Sequence, residues 1–399
     1  MNMAGRIEQR GKNSWRLEVS LGYDENGKQI RKRKTVKVKN KTEARKMLAA
    51  FVTEIEAQEY IDPTKMKFGQ FIEEWKSKYA EGKLSPGTLE MYEHLLNGHI
   101  LPVFKNRQMN KVMPIHITDY LKSLETTRND GKEGGLSSSY IQKHYNVLRS
   151  IFNFAKKNQL VKHNPVENAE KPIVRYKKYD VYTTDEVFQL IDLLKDEKQQ
   201  YRLMVKIAIN VGLRRGEILA LQWDDIDFDT HEIHIHQTLS YTKEQGLFLG
   251  PPKNGKERIV VAPQFLIKEL KDFHLFKKKE RLQAAELWEG GEYFFVFSSN
   301  MGKPYFPSVP STWWRRFLDR INGHLEKENK PPFKRIRFHD LRHTAATLLI
   351  NQGEHPKIIS ERLGHSDIQM TMNTYGHFLK EANRGAANKL DNLFNPKVL

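Results

Sequence analysis

The chain has 399 residues and no cysteine, and Lys+Arg 66 against Asp+Glu 49 gives a formal net charge of +17. At about 100–200 residues per domain the length predicts two to four domains, and 39% hydrophobic with 11% aromatic residues supplies cores that a disordered chain lacks. The absence of cysteine excludes a disulfide scaffold, a thiolate metal site and a cysteine nucleophile.

The first residues, Met1 to Lys12, are basic but carry no apolar run, so a signal peptide is not expected. No segment approaches the ~20 apolar residues of a membrane span; Leu203–Leu213 is interrupted by Lys206 and Asn210. The expectation is a soluble, intracellular protein. Its positive charge suits an anionic polymer, nucleic acid before membrane.

Residues 1–60 predict a small sheet backed by a helix. Trp15, Leu17, Val19 and Leu21 recur at period two, as do Val36 and Val38, with Asp24-Glu25-Asn26-Gly27 between them as turn chemistry. From Gln29 to Lys41 the basic residues are Arg31, Lys32, Arg33, Lys34, Lys37, Lys39 and Lys41, with no acid among them. That pattern predicts one apolar and one strongly basic face. From Thr42 the period turns helical, with Ala44, Met47, Leu48, Phe51, Val52 and Ile55 on one stripe.

Ile61-Asp62-Pro63-Thr64 reads as a linker, and residues 65–168 predict a bundle of four or five helices. Phe68, Phe71, Ile72, Trp75 and Tyr79 form the first stripe. Ser85-Pro86 opens the next helix, which carries Leu89, Tyr92 and Leu96. After the loop Asn129–Ser138, a long helix carries Ile141, Tyr145, Leu148, Ile151, Phe152 and Ala155 until His163-Asn164-Pro165 stops it. A charged linker, Glu170–Tyr179, precedes a third region, 180–399, of long helices around a strand-rich middle near Ile226–Ala262. The fold class is therefore a multidomain α+β chain: sheet plus helix, helical bundle, then a mainly α domain with a small β-sheet.

Chemistry concentrates in the last region. In Val211-Gly212-Leu213-Arg214-Arg215-Gly216-Glu217 one helix ends and another begins, which sets Arg214 at a helix N-terminus where anions are favoured and Glu217 three residues on, able to orient an arginine. In Pro252-Lys253-Asn254-Gly255 the Asn-Gly pair is a hairpin signal that would lift Lys253 on a turn. In Phe338-His339-Asp340-Leu341-Arg342-His343 the i, i+3 spacing lets His339 and Arg342 converge on one anion. Leu363-Gly364-His365 follows a short helix bearing Ile358, Ile359 and Leu363, and Tyr375 comes ten residues after His365. Two arginines, a lysine and two histidines around one tyrosine suit phosphodiester chemistry. Guanidinium forks grip phosphate oxygens, and a neighbouring imidazole can take the proton from a phenol whose pKa is near ~10. No carboxylate cage for Mg²⁺ stands out, so no cofactor or metal is expected.

These boxes resemble the signature of the tyrosine recombinase (phage integrase) family: G-L-R-x-x-E, a hairpin lysine, H-x-L-R-H, L-G-H and a tyrosine about ten residues on. The pattern falls on Arg214, Lys253, His339, Arg342, His365 and Tyr375; Met372 stands where the family often has threonine. The resemblance implies an integrase of a temperate phage or integrative/conjugative element, with an arm-site-binding domain at 1–60, a core-binding domain at 65–168 and a catalytic domain at 180–399. It implies Tyr375 as nucleophile giving a 3′-phosphotyrosine, Arg214 and Arg342 as phosphate clamp, Lys253 as proton donor to the 5′-oxygen, His339 as acid/base and His365 as a phosphate hydrogen-bond donor, without ATP or metal. The implied partners are double-stranded DNA, with Arg31, Lys32, Arg33, Lys34 and Lys37 as arm contacts, a homotetramer on paired sites, a directionality factor and a DNA-bending host protein. The implied place is the bacterial cytoplasm, at the nucleoid during the reaction.

Other residues have quieter readings. His339 and His343 at i, i+4 resemble a zinc pair, but Asp340 replaces the glutamate base and no third ligand stands out. His231, His234 and His236 read as surface or packing residues, and Asp224, Asp225 and Asp227 as turn chemistry. His343 reads as packing behind the reacting groups. Of Trp313 and Trp314, at least one belongs to the core although both could stack on DNA. Leu379, Ala382, Ala386, Leu390, Leu393 and Phe394 recur at helical spacing and suggest a helix that docks on a neighbouring protomer. A chromosome-dimer resolvase, a type IB-like topoisomerase and a non-catalytic DNA-binding regulator are the competing readings.

Overall fold

The computed structural model describes residues 5–23, 29–56, 66–128, 133–174, 180–253, 255–364 and Phe394, and contacts divide the chain into two compact units, Met1–Tyr176 and Lys177–Leu399. His365, Tyr375, Asn254, the turn Asp24–Gly27 and the apolar positions from Leu379 to Leu393 lie outside the described residues.

In the first unit, β1 (Gly5–Gly11), β2 (Ser14–Tyr23) and β3 (Gln29–Lys37) form an antiparallel sheet in that order, followed by α1 (Lys41–Glu56). Trp15, Leu17 and Val19 are buried with Ala44, Phe51 and Ile55 of α1, as period two against period 3.6 requires. Met47, part of the apolar stripe by spacing, is 49% exposed at its flank. Asn40 starts α1 by accepting from the Glu43 amide at 2.8 Å.

The helical segment contains four rods among the described residues. The first joins α2 (Phe68–Trp75), a π turn (Lys76–Ala80) and α3 (Glu81–Lys83); the second joins α4 (Pro86–Leu95), a π turn (Leu96–Ile100) and α5 (Leu101–Phe104). Pro102 explains the second π turn: proline has no N–H for the preceding turn and its ring crowds the carbonyl four residues back, so the helix widens there. The remaining rods are α6 (Pro114–Thr126) and α7 (Ser138–Lys157). Phe68, Phe71, Trp75, Ile100, Phe104, Leu148 and Phe152 fill the core between them. α7 ends at Lys157, earlier than the Pro165 stop suggests, because Gln159 turns left-handed (φ 60°) and the Leu160 amide closes on the Ala155 carbonyl at 3.0 Å. Asn164 is instead buried and tied to Asn153 at 2.8 Å.

The second unit begins with α8 (Thr184–Leu193), capped by Thr183 and Glu186 reciprocally, then α9 (Gln199–Asn210) and α10 (Arg215–Ala220). Strands β4 (Glu232–Ile235), β5 (Thr238–Thr242), β6 (Gly246–Gly250) and β7 (Arg258–Val261) follow, then α11 (Gln264–Ala284), α12 (Val309–Lys327), α13 (Asp340–Asn351) and α14 (Pro356–Leu363). α9 is the central helix, burying Leu203, Met204, Ile207 and Ala208 and packing against α11 and α13. The strands make two ladders, β4 with β7 and β5 with β6. Trp314 is buried and donates to the Ile336 carbonyl at 2.8 Å, whereas Trp313 stacks on Tyr201 at 4.5 Å. Among the described residues no helix is long and apolar enough to cross a membrane.

Candidate active site

Arg214 occupies the N-cap of α10 because α9 is closed by Gly212, whose φ of 75° ends one helix and turns the chain into the next. A Cβ at Gly212 would sit 2.5 Å from Leu363 Cδ2, so α14 packs directly on this corner. The Arg214 amide donates to Glu217 Oε2 at 2.8 Å, its Nη1 to Glu217 Oε1 at 2.7 Å and its Nη2 to the Gly364 carbonyl at 2.8 Å.

Glu217 is the pivot of the site. Its side chain is 1% exposed, and a second arginine, Arg258 of β7, reaches it from the other side: Nη2 to Oε2 at 2.7 Å and Nη1 to Oε1 at 3.2 Å. Burial alone would raise the carboxyl pKa, but hydrogen bonds and charge from Arg258 and charge from Arg214 outweigh it and hold the group at about 2. Glu217 is therefore a permanent anion between two guanidinium groups.

Arg342 lies on the first turn of α13 and is 3% exposed; it donates to the carbonyls of Gly212 and Leu363. Arg258 Nε donates to the carbonyl of Arg362 at 2.9 Å. The last turn of a helix leaves carbonyls without intrahelical partners. Here the carbonyls of Arg362, Leu363 and Gly364 at the end of α14 each receive a different arginine: Arg258, Arg342 and Arg214. Gly364 closes α14 with φ 64°, and His365 is the next residue in sequence.

His339 stands at the N-cap position of α13, makes no side-chain cap bond there and is exposed. Protein packed round the ring, then the charge of Arg342, lowers its pKa, with Asp340 opposing and Arg214 adding to the lowering. A neutral imidazole can take a proton. His343 meets it edge-on at 5.4 Å and is pushed down to about 4, mainly by burial and then by His339. Asp340 is buried and bound by the Arg337 guanidinium at 2.8 and 2.9 Å.

Lys253 is exposed on a turn closed by the Gly255 amide and the Pro252 carbonyl at 2.8 Å. The turn is as the Asn-Gly pair suggests, but it is not a hairpin: β6 pairs with β5 and β7 with β4, so Lys253 rides on a crossing between two ladders. The i, i+2 histidines are paired with carboxylates, His236 with Asp225 at 2.8 Å and His234 with Glu257 at 3.3 Å. Asp227 accepts from the amides of Asp229 and Thr230, as turn chemistry requires. Ile359 and Leu363 are buried in α14, but Ile358 is 54% exposed.

In β3 the period-two geometry divides the basic run. Register pairs Val19 with Lys32 and Leu17 with Lys34, placing both lysines on the face that carries α1, where Lys34 meets Glu54 at 3.0 Å. Arg31, Arg33 and Lys37 lie on the opposite face, with Glu18 bonded to both arginines. Arg258 is a site residue that no sequence motif marks; nothing within a few residues of it points to Glu217, which is 41 positions away.

The model of the phage integrase family matches residues 180–382, and that of the phage integrase N-terminal SAM-like domain matches 67–124. A tyrosine recombinase XerC-like protein of Caldanaerobacter subterraneus subsp. tengcongensis is 29% identical over 96% of this chain and 97% of its own length. The ICEBs1 integrase of Bacillus subtilis is 27% identical over 95% of this chain and 97% of its own. Among solved structures, the Tn1549 transposon integrase in complex with a circular intermediate DNA aligns with a TM-score of 0.64 at 18% identity, covering 82% of this chain and 99% of that one. The chain belongs to the phage integrase family and is a site-specific tyrosine recombinase.

Proposed function

We propose that this recombinase integrates and excises a mobile element by cutting and rejoining duplex DNA through Tyr375. The observation that carries the reading is the anchoring of Arg214 and Arg342 on consecutive carbonyls, Gly364 and Leu363, immediately before His365. Two cations held on one peptide corner form a preorganised receptor for the charge that builds on a phosphoryl group in the transition state. The Arg214 side chain retains 19% exposure, whereas that of Glu217, which orients it, is 1% exposed.

The Tyr375 Oη attacks the scissile phosphorus, the bond to the 5′-oxygen breaks, and a 3′-phosphotyrosine and a 5′-hydroxyl result. His339, whose pKa is lowered by the protein packed round its ring and by the charge of Arg342, takes the tyrosine proton. Lys253, on its exposed turn, gives a proton to the leaving 5′-oxygen. His365 donates to a phosphate oxygen. Because the phosphoester energy stays in the covalent link, the 5′-hydroxyl of a second duplex reseals the strand without ATP, and the arginines stabilise charge where other enzymes use metal ions.

The separate apolar cores of residues 5–56 and 66–169 support reading them as arm-site and core-site binding modules ahead of the catalytic region at 180–399. The same reading calls for a tetramer on paired sites, a directionality factor and a host protein that bends DNA. Two of the similar proteins, the ICEBs1 integrase and the Tn1549 transposon integrase in complex with a circular intermediate DNA, are named as integrases, which supports the mobile-element reading.

The test is covalent trapping. The full-length protein is incubated with nicked duplexes covering its element's ends, in EDTA and without ATP, and resolved on a denaturing gel. The expected result is a shifted protein–DNA band that is lost in Tyr375→Phe while DNA binding persists. A band retained by that variant would reassign the nucleophile, and tight binding without any band would replace the reading with that of a DNA-binding regulator.

A further inference from the structure

Arg258 has the geometry of a working part but none of the chemistry assigned above. It projects from β7 with 8% of its side chain exposed. Both terminal nitrogens grip Glu217, its Nε holds the Arg362 carbonyl, and a Cβ built on Gly364 would fall 2.9 Å from its Nη1. Its two anchors are the carboxylate that orients Arg214 and the helix end that holds Arg214 and Arg342. We propose that Arg258 is a positioning residue for strand cleavage, fixing Glu217 on one side and the C-terminal turn of α14 on the other. It thereby sets where Arg214 stands and from where the chain departs toward His365.

The inference rests on the strand-transfer reading of Arg214. A planar fork is needed because three acceptors lie in three directions, two carboxylate oxygens and a carbonyl; an ammonium is a single point of charge and cannot span them. Without the fork, Glu217 loses a bidentate partner inside the protein and burial acts on it with less opposition, so the carboxyl protonates more readily. A neutral Glu217 no longer fixes the Arg214 guanidinium. The groups facing Glu217 are Arg214 from the cap of α10 and Arg258 from β7, with Asp225, His234 and His236 lining the narrow space beside it.

The experiment compares single-turnover adduct formation by wild type, Arg258→Lys and the double variant Arg258→Met with Glu217→Gln, all full length, at several pH values. DNA binding and thermal melting are measured on the same samples. R258K should bind DNA normally and cleave about 10²-fold more slowly, as a misplaced catalytic group does, with the deficit widening as pH is lowered from neutrality. The double variant, which keeps the shape but has no carboxyl to titrate, should cleave slowly without that widening and shows whether loss of folding is the cause. R258K cleaving at the wild-type rate overturns the inference alone. So does a deficit equal at every pH and matched by a proportionate drop in melting temperature. A wild type that forms no adduct overturns the strand-transfer reading and this inference together.

Discussion

Arg342 illustrates how a charged residue comes to be 3% exposed: its guanidinium replaces water at the Gly212 and Leu363 carbonyls and joins the end of α9 to the end of α14. Arg342→Lys keeps the charge but cannot span both acceptors. One buried carbonyl is then left without a partner, which costs about 1–3 kcal/mol. The DNA-free variant should therefore melt several degrees lower, at about 2–4 °C per kcal/mol for a unit of this size, and adduct formation should fall with it. A melting curve superposable on wild type would show that these two hydrogen bonds do not support the fold. The convergence of His339 and Arg342 follows from spacing alone, since both lie on one turn. The partners of Arg342, at positions 130 and 21 residues away, do not.

The helical rods carry a titratable core. His144 of α7 is fully buried, shares a hydrogen bond with Tyr120 Oη at 2.8 Å and meets His99, from the second π turn, edge-on at 5.1 Å. Burial, and then the His99 and His94 charges, bring His144 down to about 4. Its unfolded value is near 6.5, so between about 6.5 and 4 the unfolded chain holds a proton that the native state refuses. Stability is full above that window and falls as pH drops through it, by roughly 3 kcal/mol on this group alone. Hydrogen exchange of the α7 amides in the full chain should accelerate between neutral pH and the low end of the window, after correction for the intrinsic rate. His144→Gln should flatten the dependence, and an unchanged profile in that variant would assign it elsewhere. The stripe from Ile141 to Ala155 is plain in the sequence, because apolar spacing is a local signal. The π turns are not, since hydrogen-bond partners rather than side-chain periods define them, and the early end of α7 depends on the left-handed Gln159.

For the whole molecule, a net charge of +17 makes binding to an anionic polymer salt-dependent. The β3 register predicts which cations matter. Replacing Arg31, Arg33 and Lys37 by alanine should weaken arm-site binding and reduce the salt slope by about one for each phosphate no longer neutralised. Lys34→Ala should leave the slope alone and cost about 1 kcal/mol, since its pair with Glu54 still keeps more than a third of each side chain in solvent. Affinity measured against salt for the two variants separates the faces; an equal weakening in both would show that α1's side of the sheet also meets DNA. The sequence by itself determined the order of the modules, the helix and strand periods and the boxes that place the chain in its family. All of these are written in residues a few positions apart, where backbone geometry dictates the spacing. Only the tertiary structure decided that β6 and β7 belong to different ladders, that α1 covers the face of β3 bearing Lys32 and Lys34, and that Arg258 joins Glu217 to the end of α14, 104 residues beyond Arg258 itself. Those choices follow from burial: a carboxylate and three helix-end carbonyls, once removed from water, must find donors wherever the packed chain brings them.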